Sequence, residues 1–232
     1  MIFTNSGPDF DSGAVELGDT LNISGQVYLC DWDEEDIPHY YAYDGANYAV
    51  TTPYGGTGQI SNGKLDFSIS TPSGTSKFNI EDLIDSDGYS NINVSAEPQS
   101  VVLDDLYINC GASDDNCEIE RGNVAVENKS GVLYWTEEWV DYVYVSSDVT
   151  VSGKGKTIED SYSYEGETWS ETVKYSDFNF TLKKGWNSVH HYGEGTEIKN
   201  YYTHTTTAAW TISMTLSNPP LRWVFNACEE HE

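Results

Sequence analysis

Apolar residues recur at every second position along several short runs of the chain. In TLNISGQVYL (20–29), Leu21, Ile23, Val27 and Leu29 fall on one side, and Asn22, Ser24, Gln26 and Tyr28 on the other. The same alternation groups Leu65, Phe67 and Ile69; Phe178, Phe180 and Leu182; and Trp210, Ile212, Met214 and Leu216. A period of two marks antiparallel strands with one face on a core and one in water. WVDYVYVSSDVTVSG (139–153) is apolar on both sides at its start, which predicts a strand running through the middle of the assembly.

Turn signals separate these runs: YGGTG (54–58), SNGK (61–64), TPSGTS (71–76), DSDG (85–88), NKSG (128–131), YEGE (164–167) and YGEG (192–195). Only FNIEDLI (78–84) suggests a helical turn. The pattern predicts one all-β domain over 1–232, an antiparallel β-sandwich of about a dozen strands. A division into halves 1–112 and 113–232 is the alternative organisation, and a closed β-barrel is the alternative architecture. Segment 157–175 is polar on both faces around its central turn, and so predicts a projecting hairpin. Such a hairpin either covers an open sheet edge or presents a binding surface.

Composition agrees with strands: Tyr, Val, Ser, Thr and Gly are plentiful, with 17 Tyr and 7 Trp among 232 residues. Charge changes the picture more. With 38 Asp plus Glu against 11 Lys plus Arg, the formal net charge is −27. That field repels phosphate backbones and anionic membranes, which argues against nucleic-acid partners and suits cations, neutral glycans or basic proteins. No apolar run is long enough for a transmembrane segment.

Cys30, Cys110, Cys117 and Cys228 lack the C-x-x-C spacing of a structural zinc site. Cys110 and Cys117 flank a short loop that a local disulfide would close, which leaves Cys30 and Cys228 to tie an early strand to the C-terminus. Even cysteines in a polar chain fit an oxidising compartment.

The segments YVYVSSDVTVSGKGKT (142–157), FNFTLKKGWNSV (178–189) and NPPLRWVF (218–225) resemble uncharacterised bacterial cell-envelope lipoproteins of the spirochaete and Bacteroidetes type. These share a Leu-Lys-x-Gly-Trp-Asn motif. The resemblance covers the last third to half of the chain and implies structural roles: Gly185 as the turn, Trp186 as a core plug, Asn187 bonding to backbone. It implies an extracellular or outer-envelope location and brings no catalytic residues. Such a lipoprotein's mature chain starts at a lipidated Cys; Met1 stands here, so an export signal and lipid anchor are expected to have been removed.

The densest candidate chemistry lies in LCDWDEEDIPHYYAYDG (29–45). Asp31, Asp33, Glu35 and Asp36 offer the hard oxygen ligands calcium requires, though not at EF-hand spacing. Trp32, Tyr41 and Tyr43, joined by Trp169 from the hairpin, are the candidate ligand-binding rings, since a pyranose lays its C–H face on an aromatic ring. His190, His191 and His204 lie on a predicted hairpin centred near Gly195, in a register that does not bring them together. No G-x-S-x-G, H-E-x-x-H or phosphate loop is present. The expectation is an exported surface protein without enzymatic activity that binds a glycan or protein or serves a structural role. The alternative is a secreted glycan-active hydrolase, which would show a deep cleft with a carboxylate pair and one raised pKa.

Overall fold

A computed structural model describes residues 16–33, 37–109, 116–164 and 166–225. The chain is all-β, with strands β1 (Glu16–Gly18), β2 (Leu21–Trp32), β3 (Pro38–Ala42), β4 (Tyr48–Thr51), β5 (Thr57–Ser61) and β6 (Lys64–Ile69). The short β7 (Ser76–Lys77) leads into 3-10 turns at Ile80–Asp82 and Ser86–Gly88. There follow β8 (Tyr89–Val94), β9 (Gln99–Leu103), β10 (Asp105–Asn109), β11 (Asn116–Lys129), β12 (Val132–Val145) and β13 (Val149–Gly155). The last six are β14 (Thr157–Tyr164), β15 (Glu167–Tyr175), β16 (Phe178–Leu182), β17 (Gly185–Asn200), β18 (Thr205–Leu216) and β19 (Arg222–Phe225).

One large sheet runs β10-β4-β5-β6-β2-β19-β11-β12-β17-β18-β15-β14. Because β10 also pairs with β11, its first seven strands return on themselves in a hydrogen-bonded ring. The sheet as a whole does not close into a barrel; it continues from β11 to an open edge at β14. The ring encloses no ligand space, because Leu21, Phe67, Ile60, Leu65, Leu106 and Ile119 fill it. A second sheet, β16-β13-β8, packs its apolar face on the large one and makes the arrangement sandwich-like.

Strand β12 belongs to both cores, as its two-sided apolar pattern predicts. Val140, Tyr142 and Tyr144 face the ring, while Val143 and Val145 face the small sheet with Val189 and Met214. The inward sets Leu65/Phe67/Ile69 and Leu21/Ile23/Val27 are buried as expected. Leu29 departs from the pattern and is exposed, since β2 leaves β6 after Gln26 and turns outward with β3.

Two ladders are parallel rather than antiparallel: β15 on β18, and β19 on β2. The first decides between the two roles open to the 157–175 hairpin. β14–β15 is docked along the edge of β18, so it covers that edge and extends the large sheet. The turns at Asn62–Gly63, Ser130–Gly131 and Gly166 all use positive φ, as their sequences require. YGEG does not form a turn. Strand β17 runs through it without interruption, and the β17–β18 connection is Tyr201–His204. His191 consequently pairs with Met214 and His204 sits in the turn, so the histidines do not converge.

Gly185, Trp186 and Asn187 take the positions their motif implies. Gly185 has φ +100°, and a Cβ there would meet the Gly18 carbonyl oxygen at 2.4 Å. Asn187 is fully buried; its Nδ2 donates to the carbonyls of Lys183 and Gly185, and its Oδ1 accepts from Lys183 N at 2.8 Å.

Candidate functional site

The small sheet covers only half of the face that β12, β17 and β18 present to it. On β12, the side chains of Trp135, Glu137, Trp139 and Asp141 continue the row begun by Val143 and Val145, beyond the cover. This uncovered half is the floor of a cleft of about 750 Å³, within the range of small-ligand sites. The β2–β3 hairpin forms one wall, and Trp169 and Glu171 of β15 form the other. A recess of about 170 Å³ bounded by Glu137, Trp139, Glu171, Trp210 and Tyr175 extends it along β15.

Gly195 makes room for a ring. Gly195 pairs with both Trp135 and Trp210, and Gly193 with Glu137. A Cβ on Gly195 would meet the Trp210 ring at 2.6 Å, so that indole lies against bare backbone. Trp32, Trp135 and Trp210 form a continuous row, with centroids 6.0 Å and then 6.4 Å apart. Tyr40 ties the hairpin wall down: its hydroxyl donates to the Val124 carbonyl and accepts from Val124 N at 2.7 Å. Where the floor meets the small sheet, His191 stacks on Trp139 at 4.8 Å and approaches Asp141 Oδ2 at 2.9 Å.

The indole Nε1 atoms of Trp32 and Trp135 are buried and find no acceptor among the described residues. Buried donors are costly to leave unpaired, and the surrounding side chains do not offset that cost at either indole.

Carboxylates share the cleft. Burial, followed by the charges of Asp104, Glu120, Glu118 and Asp141, pushes Asp105 up to about 7. Burial, followed by Glu118, Asp104 and Glu137, raises Glu120. Burial raises Glu137 as well, although its residue presents a good part of its surface to the open cleft; the surrounding walls, not full enclosure, remove its water. Asp105, Glu118 and Glu120 each place a carboxylate oxygen within 4.8 Å of the other two. That spacing suits a hard cation such as calcium, in a different place from the loop the sequence suggested.

Of the four rings expected to bind ligand, Trp32 and Trp169 line the cleft. Tyr41 does not: it is 55% exposed and alternates with Tyr40 onto the opposite face of β3. Tyr43 stacks on Phe225 at 5.3 Å and packs against the ring core, so it acts as a packing residue. Among the expected calcium ligands, Asp33 accepts from Ile37 N and pairs with His39 at 2.8 Å, and Asp31 accepts from Trp32 N. Glu35 and Asp36 lie outside the described residues. Cys30 and Cys117 are disulfide-bonded; Cys110 and Cys228 also lie outside the described residues. Trp135, Trp139 and Trp210, with Asp105, Glu120 and Glu137, are site residues that local sequence reading does not single out. The available signal was WTEEWVD (135–141), which alternates ring, acid, ring, acid on one face. No helix among the described residues is long and apolar enough to cross a membrane. Comparison with protein-family models, curated proteins and solved structures gives no match for this chain.

Proposed function

We propose that the chain is an exported cell-surface protein that binds a glycan in this cleft. The observation that carries the reading is the row of Trp32, Trp135 and Trp210 rings lining the cleft. Indole faces cover the C–H faces of sugar rings. A purely structural role would instead bury these rings, and they are only half-buried.

Intrinsic tryptophan fluorescence, titrated with a panel of soluble oligosaccharides, tests the proposal. Trp135→Ala and Trp210→Ala are each expected to weaken binding at least about tenfold, as for central aromatic anchors. Tyr41→Ala, on the opposite face, is expected to leave affinity unchanged. Binding that survives both indole deletions would remove the cleft from the account.

The raised pKa of Asp105, to about 7, favours a second reading, a glycan-active hydrolase with this residue as proton donor. Release of reducing ends from a polysaccharide, abolished in Asp105→Asn, would establish the hydrolase; no release keeps the cleft a binding site.

A further inference from the structure

The cleft's carboxylates lack cationic partners. Asp141 is engaged with His191, and Glu197 has Lys199 at 3.2 Å. Asp105, Glu120, Glu137 and Glu171 form no ion pair among the described residues. The nearby guanidiniums are committed elsewhere. Arg222 lies over the Tyr40 ring at 4.6 Å and bonds to Asn123. Arg121 is 8% exposed; it bonds to Tyr142, Asn218 and Pro219, with its side chain on the ring-core face of β11. A neutral sugar's hydroxyls can donate to these carboxylates but leave their negative charges unpaired, and an anionic sugar would be repelled.

The four are also spread out. Asp105 and Glu120 pair across β10 and β11, Glu137 is on the next strand, and Glu171 lies beyond β17 and β18. At roughly 4.8 Å per strand, five steps follow a path of about 24 Å along the curved sheet. No single metal ion spans that distance, whereas a chain of sugars with repeated charged groups does.

We infer that the glycan taken by this cleft carries protonated amines, that is, an oligosaccharide of amino sugars. Its ring faces stack on the Trp32–Trp135–Trp210 row while its ammonium groups meet Asp105, Glu120, Glu137 and Glu171. The inference rests on the glycan-binding reading above and adds the substrate's charge.

The test compares chitosan oligomers with their fully N-acetylated counterparts by titration calorimetry near neutral pH, at low and high salt. Charge-assisted hydrogen bonds predict a preference of at least about tenfold for the amine form, reduced by salt. In a Glu137→Gln/Glu171→Gln double variant that remains folded, the preference for the amine form should shrink. Trp210→Ala should weaken both. If acetylated oligomers bind equally well or better and Trp210→Ala still weakens them, the charge inference falls and the glycan reading stands. If neither oligomer binds, or if spermine binds tightly and is indifferent to Trp210→Ala, both fall.

Discussion

Replacing Trp186 with Ala should cost about 3–5 kcal/mol, as expected for a large buried aromatic side chain. Trp186 is 1% exposed and among the largest fully buried side chains in the described structure. It meets Tyr144 edge-on at 5.6 Å, and its Nε1 donates to the Ser70 carbonyl at 2.9 Å. It sits where β1, β12 and β17 meet the ring core, so the surroundings cannot collapse without moving three strands. In a chain of this length the loss corresponds to a melting point lower by about 10 °C, with an unfolding midpoint at lower urea. Trp186→Phe separates the terms. It keeps most of the volume and loses the bond to Ser70, so a loss of about 1–2 kcal/mol is expected. Equal losses for the two variants would mean that the hydrogen bond, not the packing, holds this corner.

That position was anticipated through the resemblance at Leu-Lys-x-Gly-Trp-Asn, which implied a turn, a plug and a backbone ligand at consecutive residues. The strand faces were legible locally, since alternation alone identified Phe67, Ile69 and Leu182 as inward. What was not legible depends on which strands become neighbours. Glycine at 63 and 131 serves positive φ, while glycine at 195 gives way to the Trp210 ring from the adjacent strand. Sequence presents both as a polar run with Gly, and only the register of β12, β17 and β18 distinguishes them. The parallel ladders of β15 on β18 and β19 on β2 join segments far apart in the chain, so no turn signal announces them. Trp32 and Trp169 were therefore recognisable as rings without an obvious core, but not as opposite walls of one cleft. Trp210 read as a core residue by alternation. Its face of β18 does enter a core at Met214, and two positions beyond Ile212 the cover has ended.

Asp105→Asn should raise stability by an amount that grows with pH and is complete only at neutral to alkaline pH. In the unfolded chain Asp105 ionises at 3.8; in the folded chain it holds its proton to about 7. Between these values the native state binds a proton that the unfolded state has released, so stability falls as pH rises through the window. The penalty is absent below about 3.8 and complete above about 7. Unscreened, a shift of roughly three units at about 1.4 kcal/mol each would give about 4 kcal/mol; the side chain is only half-buried, so about 1–2 kcal/mol is expected. Thermal melts in EDTA, which removes divalent cations from the Asp105–Glu118–Glu120 cluster, should show the variant about 3–6 °C above the parent near pH 8. The two should coincide near pH 4. A pH-independent loss would mean that Asp105 acts as a structural acceptor and that the cluster's repulsion is relieved elsewhere. The expected gain has a functional counterpart. A carboxylate held among like charges and away from water destabilises the empty cleft, and a bound ammonium group relieves that penalty. Asp105→Asn should therefore make the protein more stable at neutral pH while reducing its preference for amine-bearing sugars.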